Sequence, residues 1–220
     1  MVDYQLLAYL ETFLTERRNV LFKKVVSKRT RHFTVVTEDV FQLHNTSAVM
    51  RTCDIFGIQD LHVVEEIKGK RIDKEIALGA QKWVDLYRYD KIDSCLNVLK
   101  EKGYRIIATT PHEEALKLED FDITQKAAFF FGKESSGLSD KVISKADEFL
   151  KIPMYGFTES LNISVSAAII LQDVVSKLRR SEIPWQLTEE EQSEKRLEWT
   201  MKSIKSITGV LKKYKETNNI

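Results

Sequence analysis

Lys151-Ile152-Pro153-Met154-Tyr155-Gly156, continued by Glu159-Ser160-Leu161-Asn162-Ile163-Ser164-Val165-Ser166-Ala167-Ala168, is the stretch on which the fold turns. A short apolar run, Phe149–Ile152, reads as a buried strand that stops at a proline. A loop follows, and then a long apolar helix from about Asn162 to Arg180. The start of that helix is crowded with small polar groups: Ser160, Asn162, Ser164 and Ser166. A helix cap needs only one such residue. The excess, followed by alanines, points to close approach of a ligand or of another backbone segment.

The same alternation extends in both directions. Phe33–Val36, Leu61–Val64, Arg105–Thr109 and Ala127–Phe131 are short runs rich in Val, Ile and Phe, and they read as further buried strands. Helical segments separate them. One starts near Thr46, with Asn45 as its expected cap; one covers about Asp90–Lys102 and stops at Gly103; one covers Asp140–Lys145. Strands alternating with helices predict an α/β fold, a mostly parallel sheet with helices on both faces.

The ends of the chain differ from this core. Residues 1–30 carry a helical stripe through Leu6, Leu10, Phe13 and Leu14, then Leu21, Val25 and Val26. From Glu182 onward, Thr188 and Glu191 have capping-box spacing, and Leu197, Met201, Ile204, Leu211 and Tyr214 form an apolar face. An amphipathic terminal helix must pack on its own domain, on the N-terminal helix, or on a second subunit. The expected organisation is an N-terminal basic helical extension (1–30), a central domain (31–181) and a C-terminal helical extension (182–220).

Composition narrows the function. The 220 residues are 43% hydrophobic and 30% charged, with a net charge of +1 and two cysteines, Cys53 and Cys95. This is ordinary globular composition without a disulfide framework, as expected for a reducing cytoplasm. The N-terminus lacks a basic region ahead of an apolar core, and no uncharged run approaches membrane-span length. Charge is distributed unevenly. Arg17, Arg18, Lys23, Lys24, Lys28, Arg29 and Arg31 occur without an intervening acid, and Lys202, Lys205, Lys212, Lys213 and Lys215 cluster near the other end. Basic stretches at both ends of a neutral chain suit a polyanion.

Several chemistries are excluded. The four histidines (His32, His44, His62, His112) have no metal-ligand spacing, so no metal is expected. There is no G-x-S-x-G elbow and no G-x-G-x-x-G dinucleotide fingerprint. Phe131-Gly132-Lys133-Glu134-Ser135-Ser136-Gly137-Leu138-Ser139 has glycines at P-loop spacing, but Leu138 stands where the phosphate-binding lysine belongs, so nucleotide triphosphate binding is rejected. A tight loop where backbone meets a ligand remains, with Glu134 as a polar handle. The last candidate is His44-Asn45-Thr46-Ser47-Ala48-Val49-Met50-Arg51-Thr52, where Arg51 lies nearly two helical turns beyond Asn45.

Taken in order, these three stretches resemble the motifs of the SPOUT class of RNA methyltransferases, specifically the TrmH family. The first is His44-Asn45…Arg51-Thr52, the second Phe131-Gly132-x-Glu134-x-x-Gly137-Leu138-Ser139, and the third Ile152-Pro153-Met154…Ser160-Leu161-Asn162-x-Ser164-Val165-Ser166. The likeness covers about Phe33 to Arg180. Gln81-Lys82-Trp83-Val84 resembles a segment of the tRNA-specific subgroup, which also carries short basic helical extensions. Gln42-Leu43 and Ser135-Ser136 depart from the subgroup's usual pattern. The resemblance implies a C-terminal trefoil knot, a homodimer and S-adenosylmethionine as cofactor. It implies 2′-O-methylation of a ribose in tRNA, at guanosine 18 of the D-loop. A ribosomal RNA enzyme of the same family, or an inactive RNA-binding relative, are the alternatives. By the same likeness Thr109, Gly132, Ile152 and Leu161 touch the cofactor, and Arg51, Asn45, Glu134, Ser160 and Asn162 hold the catalytic positions. The family assigns the motif 1 arginine to deprotonate the hydroxyl. A guanidinium almost never gives up its proton, so a bidentate anchor on the adjacent phosphate suits Arg51 better.

Overall fold

A computed structural model describes residues 2–40, 43–66, 77–111, 114–133 and 136–218. The chain divides into two compact units: Thr30–Trp185, and Met1–Arg29 together with Gln186–Ile220.

The larger unit is built on a seven-stranded, all-parallel sheet in the order β3-β2-β1-β6-β4-β7-β5. Its strands are β1 (Phe33–Glu38), β2 (Asp60–Val64), β3 (Asp85–Tyr89), β4 (Arg105–Thr109), β5 (Leu116–Lys117), β6 (Ala127–Phe131) and β7 (Glu148–Lys151). β1, β2 and β6 are buried at every position. Alternate residues of one strand therefore feed two separate cores. Phe33, Val35, Leu61, Phe129 and Phe131 face one side, where α3 (Leu43–Phe56) and α6 (Ile163–Arg180) pack. Val36, Val64, Ala128 and Phe130 face the other, against α4 (Ile92–Glu101) and α5 (Asp140–Lys145).

Local chemistry sets the boundaries. Gly103 takes φ 77° just past α4, a left-handed conformation that costs a glycine little. Ser139 caps α5 through the Val142 N–H. Asn162 caps α6 by accepting from the Ser164 N–H at 2.9 Å. α6 therefore begins at Ile163, and Ser160 belongs to the preceding loop rather than to the first helical turn. α3 likewise begins at Leu43, so Asn45 lies inside its first turn and does not cap it. The Asn45 side chain is occupied elsewhere, accepting from Asn162.

Two strands escape the sequence pattern. β3 is a half-exposed edge strand of mixed polarity, Asp85-Leu86-Tyr87-Arg88-Tyr89, and β5 is two residues long. Two acids that look like surface charges also have a structural role. Arg31 donates through Nε to Asp60 at 3.1 Å and through Nη2 to Asp85 at 3.0 Å, joining the starts of β2 and β3.

The smaller unit contains α1 (Tyr4–Glu11), α2 (Glu16–Val26), α7 (Glu189–Ser203) and α8 (Ile207–Asn218). The chain ends pack on each other. Trp199 of α7 is fully buried, with Phe22 edge-on at 5.8 Å and the Arg29 guanidinium 5.5 Å from its ring. Tyr9 of α1 meets Tyr214 of α8 at 5.0 Å, and Glu11 pairs with Arg196. The capping box read from Thr188 and Glu191 is present at the start of α7. The apolar periodicity of the tail continues through Ile204, but the helix breaks there and restarts at Ile207. Arg29, counted among the basic stretch, is buried, whereas Arg17, Arg18, Lys23, Lys24 and Lys28 are exposed.

Candidate active site

The carboxyl ends of β4, β6 and β7 open onto one cavity of about 310 Å3. Parallel sheets bind ligands at this end, beyond the strand termini, and the volume suits a small molecule. Thr109 closes β4, Gly132 follows β6, and Ile152 follows β7. All three line the cavity, together with Leu161, Ser160 and Asn162 from the loop ahead of α6. The sequence-derived cofactor residues thus converge on a single space. Met154, Leu150 and Ile170 supply an apolar wall, and Thr110 and Ser166 a polar one. Leu150, Ile170 and Thr110 lie outside the quoted motifs, and nothing in their spacing marked them as site residues.

Each wall has a reason to hold its shape. The Thr109 hydroxyl donates to the Phe130 carbonyl at 2.7 Å, which ties β4 to β6 at the cavity edge. Lys133 and Gly137 exchange backbone hydrogen bonds at 3.0 and 2.9 Å, which holds the two described flanks of the glycine segment after β6 together. A Cβ on Gly132 would lie 2.2 Å from the carbonyl carbon and oxygen of Gly137. Such contacts are impossible without moving backbone, so this loop requires glycine at 132. Gly137 takes φ 70°, and a Cβ there would meet no atom of the described residues within 4 Å, so its requirement is conformational.

Asn162 joins the cavity to α3. Its Oδ1 accepts from the Ser164 N–H and hydroxyl at 2.9 and 2.6 Å, and its Nδ2 donates to Asn45 Oδ1 at 3.1 Å. Asn45 is buried. The amides of two distant chain segments therefore fix each other at the cavity wall. Arg51 is placed differently. It is exposed, with no hydrogen-bond or ion-pair partner among the described residues, and it lines a neighbouring groove of about 600 Å3 between α3 and α6. Ser164 and Val165 line that groove while Asn162, Ile163 and Ser166 line the cavity, so the first turn of α6 is the wall between them. Glu134 lies outside the described residues. The Gln81–Val84 segment is part of the packing: Trp83 accepts from the Gln59 side chain at 3.0 Å and Val84 is buried.

The strongly perturbed groups lie elsewhere. Burial lowers His62 on β2 to about 3 and raises the Cys95 thiol to about 12. An imidazole held neutral and a thiol held protonated inside the sheet's second core are poor candidates for acid–base or nucleophilic work.

A parallel sheet whose strand ends, glycine loop and polar helix start enclose one cavity is the arrangement of an α/β enzyme that binds a small molecule beyond its strand termini. The chain belongs to the SpoU rRNA Methylase family, whose pattern matches residues 32–172. The tRNA (guanosine(18)-2′-O)-methyltransferase of Borreliella burgdorferi is 39% identical over 197 residues, covering 90% of each chain. The protein of the same description from Thermus thermophilus is 38% identical over 157 residues, covering 71% of this chain and 81% of that one. Among solved structures, the TrmH/SpoU tRNA modifying enzyme of Aquifex aeolicus superposes with a TM-score of 0.78 at 31% identity, covering 86% of this chain and 98% of that one.

Proposed function

We propose that this protein transfers a methyl group from S-adenosylmethionine to the ribose 2′-hydroxyl of guanosine 18 in the tRNA D-loop. The observation that carries the reading is the convergence of Thr109, Gly132, Ile152 and Leu161 on one cavity whose wall holds the Asn45–Asn162 pair. The donor set fits the cofactor. Gly132 leaves its backbone bare to a ligand, an apolar wall is available for a base, and Ser160, Asn162, Ser166 and Thr110 offer polar contacts. When bound, the cofactor supplies a methyl group made electrophilic by its sulfonium.

The remaining work falls to side chains of this chain. A 2′-hydroxyl is a weak nucleophile and must be held in line for attack, which is a matter of orientation. Asn162 and Ser160 shape the ribose side of the cavity, with Asn45 fixing the Asn162 amide. Arg51, uncommitted within the described fold, is available to grip the phosphate next to the target ribose with its forked donors. Glu134, two residues after Gly132 in the sequence, is the further polar group this reading assigns to the catalytic set. The test is transfer of labelled methyl groups to tRNA, with the modified nucleotide mapped.

Two further features belong to this reading. We infer a homodimer, supported by the α3–α6 groove, where Ile55, Val165 and Ile169 are exposed beside Arg51. The trefoil knot is supported by strand order: β6 and β7 both enter slots flanking β4 after β5 has been laid at the edge. A tRNA substrate also implies a cytoplasmic enzyme; no helix among the described residues is long and apolar enough to cross a membrane.

The terminal extensions serve as the tRNA-binding appendage in this account. Because α1 and α2 pack on α7, removing either end would unfold the other, and exposed charge is the cleaner target. Replacing Arg17, Arg18, Lys23 and Lys24 by serine is expected to weaken tRNA binding. The slope of log K against log salt should fall by about one for each phosphate that is no longer neutralised. An unchanged slope in filter binding would remove these residues from the interface.

A further inference from the structure

We propose that Glu38 is a positioning residue for the cofactor, holding the glycine loop from the side of the sheet opposite the cavity. The proposal rests on the assignment of the cavity to S-adenosylmethionine. Glu38 is the last residue of β1, 4% exposed, and shares the strand face of Val36, two residues before it. In the sheet it lies level with Gly132, since Thr37 pairs with Phe131. Both oxygens of its carboxylate are engaged by one residue. Oε2 accepts from the Ser139 N–H at 2.9 Å and Oε1 from the Ser139 hydroxyl at 2.6 Å. The Ser139 Oγ in turn accepts from the Val142 N–H at 3.4 Å, starting α5.

Ser139 is the anchor of the glycine loop. Gly137 and Leu138 precede it, and Gly137 is hydrogen-bonded back to Lys133 beside Gly132. Gly132, Lys133 and Gly137 line the cavity, whereas Glu38 is not among the described residues that do. The next residue, Asp39, carries the other flank: its Oδ2 lies 3.5 Å from Lys133 Nζ. Consecutive acids at the end of β1 thus hold both described flanks of the loop. Burying a carboxylate costs folding energy unless it is hydrogen-bonded. An aliphatic side chain would fill this position at lower cost, so the carboxylate answers to the loop it restrains.

The consequence is a separation of readouts. Glu38→Ala should raise the S-adenosylmethionine Kd, and the KM with it, by about 10-fold or more, the scale of hydrogen bonds made to a charged group. tRNA affinity measured without cofactor should stay within about twofold. Glu38→Gln can accept from the Ser139 N–H and donate to its hydroxyl, so it should recover most of the affinity. The experiment is calorimetric titration of S-adenosylmethionine into full-length wild-type and variant proteins, scaled to the folded fraction. A weakened Glu38→Ala rescued by Glu38→Gln supports the assignment. A wild-type Kd in Glu38→Ala, with only a lower Tm, overturns it and leaves Glu38 a structural residue. Should Glu38→Ala fail to fold, Ser139→Ala decides: a Kd raised about threefold or more supports the tether, and an unchanged Kd overturns it. No binding by the wild-type protein would instead refute the cofactor reading.

Discussion

Arg51→Ala is expected to lower the methyl-transfer rate on tRNA by on the order of 10²- to 10³-fold while leaving S-adenosylmethionine affinity within about twofold. The separation follows from where the residue sits. Arg51 lines the groove between α3 and α6, across the first turn of α6 from the cavity, and is not among the described cavity-lining residues. It is exposed and has no ion-pair or hydrogen-bond partner among the described residues, so its loss should change stability by less than about 0.5 kcal/mol. Arg51→Lys should recover little, because an ammonium keeps the charge but loses the planar fork that fits a phosphate bidentately. Single-turnover transfer and cofactor titration on the same preparations check both halves. Full activity in Arg51→Ala would remove the residue from the mechanism. Equal loss of activity and cofactor affinity would place it in the cavity instead.

Gly132→Ala should produce the larger loss of binding. The added Cβ would meet the Gly137 carbonyl at 2.2 Å and the Leu138 nitrogen at 2.4 Å, so the turn must open. Overpacking of this kind costs about 1–3 kcal/mol in stability. Here the displaced backbone is itself the cavity wall, and cofactor Kd should rise by about 100-fold, the same free energy expressed as affinity. Gly137→Ala provides the control. Its Cβ would meet nothing within 4 Å among the described residues, and the penalty there is φ 70°, worth about 1–2 kcal/mol. Thermal melts and calorimetry should rank Gly132→Ala well below Gly137→Ala in cofactor binding. Equal behaviour of the two would mean that the Gly132–Gly137 approach does not shape the site.

The central elements were legible because burial on both faces leaves a plain signal. β4, β6 and α5 have the bounds read from the sequence, Arg105–Thr109, Ala127–Phe131 and Asp140–Lys145. The edge of the sheet was not legible. β3 alternates Leu86 with charged and aromatic neighbours, as a half-solvated strand does, and so lacks the continuous apolar run that marked the others. The ends of the chain show a second limit. Periodicity in α1 and α7 announced buried faces but not their partner, and only the fold joins Tyr9 to Tyr214 or Glu11 to Arg196. Charge counting failed at Arg29 and Arg31, whose basic neighbours are exposed while they are buried or paired.

The site divides along the same lines. The motif residues Thr109, Gly132, Ile152, Ser160, Leu161 and Asn162 mark the cavity from sequence, through family likeness. Their mutual geometry could not be read in advance. Asn45 looked like a cap because Asx residues cap helices, yet its amide is joined to one 117 positions away. Glu38 gave no signal at all, since an acid ending a strand is ordinary until its hydrogen bonds to Ser139 are seen.

The most direct test of the central claim is transfer of a labelled methyl group from S-adenosylmethionine to unmodified tRNA by the purified full-length protein, followed by nucleoside mapping. The account predicts one labelled product, a 2′-O-methylguanosine at position 18, lost in Arg51→Ala. Label on a base, label confined to ribosomal RNA, or no transfer at all would contradict it.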